Sequence, residues 1–229
     1  MAQNIKEMKT KQASATIEDY LSLLLVLDRD KQPATGSFFA KHLGVSAPTV
    51  TNTFKRMIRD GYVTMDEHKH VRLTEIGRKI GESVMRRHMF TEWLLTDTLD
   101  VPWAETHAES HLLEHSISKN VEKKLEEHIQ KVKTCPHGNP LPGNEDFVKN
   151  WLPLAVFEEG EKGVLRRVHE LGEDSEELLK YLGVHDFKPG AEFTVKQVLP
   201  FNQTMELETA TGSITLGETV IDFLYAERI

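Results

Sequence analysis

Cysteine is almost missing from this 229-residue chain, where Cys135 stands alone. No disulfide can close within it, and a reducing compartment is expected. Long apolar runs are missing as well. No stretch approaches the roughly 18 consecutive apolar residues of a membrane span, so no membrane partner is expected. The opening residues, Met1-Ala-Gln-Asn-Ile-Lys, lack the apolar segment of a signal peptide, which points to the cytoplasm. There is no internal repeat and no low-complexity tract. H-E-x-x-H, a Gly-rich phosphate loop and a nucleophile elbow are all absent. A metal hydrolase would also need an open coordination position and a general base. Cys135 lies in a Pro/Gly-rich stretch without obvious activation and reads as incidental.

Positive charge is in short supply overall: 28 Lys and Arg face 36 Asp and Glu, a net charge of −8. The balance is uneven along the chain. Residues 1–90 are net +5 and residues 91–229 are net −13. A basic first part can meet phosphate while an acidic remainder faces solvent or cations.

What is present begins with a polar, Lys-rich segment over residues 1–14, expected to be mobile. Thr16 is a candidate cap for a helix carrying Ile17, Tyr20, Leu21, Leu24, Leu25 and Leu27, stopping before Pro33. A short helix with Phe38, Phe39, Ala40 and Leu43 ends at Gly44. Ser46 then caps a second helix with Pro48 in its first turn, where the missing N–H costs little. Val50, Phe54, Met57 and Ile58 are expected to face inward. Residues 62–73 read as a β-hairpin. Helix, Gly turn, capped helix and hairpin make a winged helix-turn-helix. A small α+β domain with no DNA role is the plain alternative. The other face of the second helix carries Thr49, Thr51, Asn52, Lys55, Arg56 and Arg59. Thr and Asn suit base edges, and Lys and Arg suit phosphates.

Residues 75–98 read as a long helix and 104–133 as one or two more. Leu94, Leu95, Leu99, Val101, Leu112, Leu113, Ile117, Val121 and Leu125 give more apolar surface than one helix pair buries, so a homodimer is expected. Thr134–Gly143 reads as an extended connection. From about Leu154, short alternating runs indicate a small β-barrel, with a helix over 175–182.

The densest chemistry lies in Glu105–His115. If this segment is helical, His107, His111, Glu114 and His115 fall within an arc of roughly 100°. His88 and Glu92 repeat the i, i+4 spacing on the preceding helix, and Asp19 lies on the first. Imidazoles and carboxylates from several helices would let a divalent ion act as a crosslink. A winged-helix regulator sensing a small organic ligand is the competing reading, but it leaves the His/Glu stripe unexplained.

The chain resembles the DtxR/MntR family of metal-dependent transcriptional repressors. The matching stretches are Ser46-Ala-Pro-Thr-Val-Thr, Arg56-Met-Ile-Arg-Asp-Gly61, Leu73-Thr-Glu-Ile-Gly-Arg78, Val84-Met-Arg-Arg-His88, Glu114-His115 and Gly138-Asn-Pro-Leu-Pro-Gly143. The likeness is strong over about residues 14–145 and weaker beyond, where the chain is similar to the family's SH3-like, FeoA-type domain. It implies a mainly α chain with small β parts. The expected divisions are a winged helix-turn-helix domain (1–80), a helical metal-binding and dimerisation domain (81–145) and an SH3-like domain (146–229). It implies a regulatory metal site at Asp19, His111, Glu114 and His115, and an ancillary site at His88, Glu92 and His107. Ancillary donors from the last domain would come from Glu173, Asp174 and Glu176. The implied DNA contacts are Ser46, Pro48, Thr49, Thr51 and Asn52, with Lys69 on the wing. Two ions per subunit and a double-stranded DNA operator follow from the same resemblance.

Two departures bear on the metal. Asp19 stands where iron-responsive members carry methionine, which resembles the manganese-responsive branch. His111 stands where iron-responsive members have cysteine and manganese-responsive members often have glutamate. A donor set of Asp, Glu and two His suits Mn²⁺ first, then Fe²⁺, then Zn²⁺, although raw affinity does not favour manganese.

Overall fold

A computed structural model describes residues 13–129 and 131–229. Most of the Lys-rich opening, residues 1–12, lies outside the described residues. The chain divides into two compact units, Met1–Ser83 and Val84–Ile229.

In the first unit α1 spans Ala15–Arg29, α2 Gly36–His42 and α3 Ala47–Arg59. Ser14, rather than Thr16, holds the cap position of α1, its carbonyl accepting the N–H groups of Ile17 and Glu18 at 2.8 and 2.9 Å. The helix therefore starts before the expected cap residue. Ser46 caps α3 as expected, accepting the Thr49 N–H at 3.3 Å. Val50, Phe54 and Met57 are buried, but Ile58 is 39% exposed. One residue beyond Met57 lies about 100° further round the helix, off the apolar stripe. Tyr20, Phe39 and Phe54 interlock with ring centroids 5.1, 5.1 and 5.7 Å apart, fixing the three helices around one core.

Strands β1 (Val63–Met65) and β2 (Val71–Leu73) pair antiparallel as the wing. The Asp66 carboxylate closes its tip by accepting the N–H groups of His68 and His70 at 3.0 and 2.8 Å. Lys69 turns the tip with φ 63° and is exposed. Helix α4 (Glu75–Asp97) follows at once. Thr74 ties its start to the wing, its hydroxyl donating to the Tyr62 carbonyl at 2.9 Å and accepting the Gly77 N–H at 3.1 Å.

The second unit takes the rest of α4, then α5 (Thr106–Leu113), a 3-10 turn over Glu114–Ser116 and α6 (Lys119–His128). After the 134–143 loop come α7 (Glu145–Val148), β3 (Leu152–Pro153), β4 (Lys162–Val168), α8 (Glu170–Glu173) and α9 (Glu176–Val184). The chain ends with β5 (Glu192–Leu199), β6 (Thr204–Thr209), β7 (Gly212–Gly217), α10 (Glu218–Ile221) and β8 (Leu224–Arg228). The strands form one antiparallel sheet in the order β3-β8-β4-β5-β6-β7. This six-stranded antiparallel sheet is the expected SH3-like domain, and among the described residues β3 and β7 are its end strands. Met205 and Leu207 alternate inward on β6, as do Ile214 and Leu216 on β7. Leu182 of α9 and Phe187 complete this core.

The register of β4 against β8 shifts between Leu165 and Arg167. This irregularity leaves Leu165, Arg167 and Val168 all buried. A bulge re-aims side chains in this way, and Arg167 consequently supports the polar cluster described next. No helix among the described residues is long and apolar enough to cross a membrane.

Candidate metal centres and DNA-contact face

Helix α4 carries His88 and Glu92 one turn apart, so both side chains leave the same face. Both are buried, and Glu92 is fully so. Helix α5 contributes His107, and α8 contributes Glu173. His88 Nε2 lies 3.1 Å from His107 Nδ1 and 3.2 Å from Glu92 Oε1. His107 Nδ1 lies 3.4 Å from Glu92 Oε1 and 3.1 Å from Glu173 Oε2. Nitrogen and oxygen ligands about 2.1 Å from a shared ion stand roughly 3.0 Å apart in octahedral and 3.4 Å apart in tetrahedral geometry. The spacings match that range. Asp174 reaches His107 Nε2 at 3.4 Å from a half-exposed position. Glu176 is not brought into the cluster; it is exposed and pairs with Lys180.

The 134–143 loop packs into the second unit and buries Cys135. Cys135, His137 and Asn139 are buried. Trp93 and Trp103 hold the loop through indole N–H bonds to the carbonyls of Thr134 (2.7 Å) and Pro136 (3.0 Å). Gly138 has φ 92°, and a side chain there would collide with the Arg166 carbonyl, so the tight approach demands glycine. The result aims His137 Nδ1 at Glu92 Oε1 (3.2 Å) and Glu173 Oε1 (3.5 Å). Cys135 Sγ lies 3.8 Å from Glu173 Oε1. Glu173 also accepts a bond from Asn139 Nδ2, and Arg167 Nε donates to Asn139 Oδ1. The Cys-x-His spacing in a Pro/Gly-rich stretch was the available sequence signal for these two residues.

A second group centres on Glu114, which follows α5 in the 3-10 turn. His88 Nδ1 lies 2.6 Å from Glu114 Oε2. His111 Nδ1 and His115 Nε2 lie 3.4 and 3.3 Å from Glu114 Oε1. Arg87 Nε donates to the Glu114 carbonyl at 2.8 Å and fixes the turn. α5 ends at Leu113, so Glu114 and His115 stand in the 3-10 turn beyond it. His107 contacts the first group, while His111 and His115 contact Glu114 in the second. Asp19 is half-buried on α1 in the first unit.

Charge coupling in these groups is strong. Burial pushes the His88 imidazolium toward losing its proton, but Glu92 and Glu114 outweigh burial and raise its pKa from 6.5 to about 9. Burial alone would raise Glu114, yet His111 and His88 lower it from 4.5 to about 2. Glu92 is likewise held well below the usual carboxylate range, with His137 and His88 overcoming its burial. The Cys135 thiol is pushed up by burial, with Glu92 and Glu173 adding to the effect.

Buried atoms test whether a cation fits. Glu92 Oε2 and His137 Nδ1 are buried without a hydrogen bond. Such groups are costly in a folded interior unless a ligand satisfies them. The donor set of imidazole, carboxylate and thiol suits a first-row divalent metal. A cavity of about 240 Å³ beside His107, His111, Glu173 and Asp174 opens toward the donors.

On the first unit, Ser46, Pro48, Thr49, Thr51, Asn52, Lys55, Arg56 and Arg59 are all exposed. Ser46 and Thr49 join through their hydroxyls at 2.8 Å, and Thr51 Oγ1 donates to the Ala47 carbonyl at 2.9 Å. Arg59 Nε pairs with Asp60 at 2.7 Å.

Comparison with known proteins agrees with this architecture. The iron-dependent repressor N-terminal DNA-binding model matches residues 12–71. The metal-binding and dimerisation model matches 74–143, and the FeoA model matches 152–228. The Mycobacterium leprae iron-dependent repressor IdeR is 38% identical over 232 residues, covering 93% of this chain and 97% of that protein. The chain belongs to the DtxR/MntR family of metal-dependent transcriptional repressors. Another family member, IdeR of Mycobacterium tuberculosis (strain ATCC 25618 / H37Rv), is 39% identical over 128 residues. That match spans 56% of this chain and 56% of the relative's length. The solved structure of the manganese regulator SloR superposes with a TM-score of 0.75 at 26% identity, covering 93% of this chain and 98% of that one. An iron-dependent repressor and a manganese regulator thus both resemble this chain.

Proposed function

We propose that this chain is a metal-dependent transcriptional repressor of metal-ion homeostasis. It works as a cytoplasmic homodimer on double-stranded operator DNA, and it is a regulator and not an enzyme. The observation that carries the reading is a buried histidine–carboxylate cluster in a chain that begins with a winged helix. Residues 1–80 read DNA, 81–145 bind metal and dimerise, and 146–229 form the SH3-like domain. The three family-model matches support that division. The complete burial of Glu92 and His137 argues against an open hydrolytic site.

Asp19, His111, Glu114 and His115 hold the regulatory ion. His88, Glu92, His107 and Glu173 hold the ancillary ion, with Asp174 at its edge. The sulfur-free regulatory set of two carboxylates and two imidazoles supports Mn²⁺, followed by Fe²⁺ and then Zn²⁺. Metal favours the DNA-competent conformation, in which the dimer spaces its recognition helices for half-sites about 34 Å apart or a related distance. By linkage, DNA raises metal affinity by the same factor.

The test is operator binding with each metal and with a chelator, for wild type, Asp19→Ala and His115→Ala. Wild type should bind only with metal, and the variants should lose the response while keeping their circular dichroism. Equal operator affinity with and without chelator would sink the proposal.

A further inference from the structure

We infer that the buried cluster takes two divalent ions at once, as a carboxylate-bridged pair. Two donor sets overlap there: His88, Glu92, His107 and Glu173 form one, and Glu92, Cys135, His137 and Glu173 form the other. The donor atoms of each set lie within 4.8 Å of one another. Both carboxylates belong to both sets, and Glu173 divides its two oxygens between them. Glu173 turns Oε2 to His107 at 3.1 Å and Oε1 to His137 and Cys135 at 3.5 and 3.8 Å. A carboxylate whose two oxygens face different ligand groups is disposed to bridge. Glu92 Oε1 stands between the sets, 3.2 Å from His88 Nε2 and 3.2 Å from His137 Nδ1. Its other oxygen, Oε2, is buried without a hydrogen bond.

The second position has its own signature. His137 Nε2 lies 3.1 Å from the Trp103 carbonyl. A carbonyl only accepts, so Nε2 carries the hydrogen. Nδ1 then faces two carboxylates across a buried space, which only a cation between them can fill: a proton on Nδ1, or a metal ion that takes the ring's lone pair. An ion between His88 and His107 leaves that position to a proton, whereas a second ion beside Cys135 and His137 replaces the proton and adds the sulfur as a ligand. Two dications against Glu92, Glu173, a Cys135 thiolate and nearby Asp174 are also electroneutral. The sulfur makes this second position the softer of the two, suited to Fe²⁺, Co²⁺ or Zn²⁺.

The inference rests on metal binding at the ancillary cluster but not on DNA binding. The direct test is anomalous scattering from full-length wild-type crystals saturated with Co²⁺. Two peaks roughly 3.5–4 Å apart in the cluster are expected for a bridged pair; one peak overturns it. In solution, Co²⁺ is titrated into wild type, Cys135→Ser, His137→Ala and His88→Ala, and bound metal is counted after dialysis. Cys135→Ser and His137→Ala should each bind one ion fewer per chain than wild type and lose the thiolate-to-cobalt absorption. His88→Ala should keep that absorption. If Cys135→Ser keeps the full count, or if His88→Ala abolishes the thiolate absorption, the cluster holds a single ion. A single-ion cluster with chelator-sensitive operator binding defeats only the pair. Operator binding indifferent to chelator defeats the repressor reading whatever the ion count.

Discussion

His88 and Glu114 share a 2.6 Å contact that joins the two groups of prospective ligands. His88 turns its other nitrogen, Nε2, to Glu92 at 3.2 Å. A ring that gives Nε2 to an ion keeps its hydrogen on Nδ1, which can then donate to Glu114. That arrangement fixes the ring and leaves Glu114 Oε1 for the regulatory ion. His88→Ala should therefore weaken both ions, with the regulatory one losing about 10–100-fold as when other outer partners of metal ligands are removed. Competition with a chromophoric chelator reads both affinities. Unchanged regulatory affinity in His88→Ala would show that the contact carries no coupling.

The same residues set opposite pH trends with and without metal. In the metal-free protein, His88 has its pKa raised from 6.5 to about 9, so its stabilisation is complete below 6.5 and lost as pH rises through about 9. Glu114 is lowered from 4.5 to about 2, so its contribution is present above 4.5 and lost as pH falls through about 2. Metal must displace the His88 proton, and each proton released makes binding about tenfold tighter per pH unit. The gap between metal-loaded and metal-free melting temperatures should widen from about pH 6.5 to about pH 9. A gap that stays constant or narrows across that range would contradict the proposed ligation by His88.

Several of these residues were legible before any coordinates, and the reasons others were not are physical. The i, i+4 pair His88/Glu92 and the capped recognition helix follow from local periodicity, which a helix preserves. Helical periodicity carries His107 and His111, but α5 stops at Leu113, so the 3-10 turn that places Glu114 and His115 has no periodic signature. Cys135 and His137 carry no periodic signal. Their positions come from long-range bonds to Trp93 and Trp103 and from the close approach of Gly138 to Arg166. Strands β3 and β8 were missed for a related reason: β3 is two residues long, and both are defined by partners distant in sequence. Glu173 was reached only through resemblance, because α8 has four residues and no readable pattern.

Exposed leucines make the dimer testable. Leu112 is 72% and Leu99 59% exposed, with Leu113 and Val121 also outward. Single exposed apolar residues are ordinary, but these four fall inside the stretch matched by the metal-binding and dimerisation model. Leu112→Glu would place a charge where a dimer buries apolar surface. The monomer–dimer dissociation constant should rise by about 30-fold or more, as for a hot-spot loss of ~2 kcal/mol or greater. Sedimentation velocity measures it. A dimer as tight as wild type would remove Leu112 from the interface.

The contacts to DNA should separate into two kinds. Lys55 and Asn52 are both exposed on α3, but their chemistry differs. A lysine ammonium neutralises phosphate without reading sequence. Lys55→Ala should weaken binding to every sequence and reduce the slope of log K against log salt by about 1. An Asn amide can make a paired contact to an adenine edge. Asn52→Ala should cost about 1–3 kcal/mol on the operator, relax specificity at one base pair and leave the salt slope unchanged. Arg59 gives an internal control. Its guanidinium is already engaged by Asp60 at 2.7 Å, so contact with phosphate requires exchanging partners. Arg59→Ala should lower the salt slope less than Lys55→Ala, while Asp60→Ala should tighten non-specific binding by freeing the cation. Fluorescence anisotropy across a salt series checks all four variants. A slope change for Arg59→Ala equal to that for Lys55→Ala would show that Asp60 does not restrain the arginine.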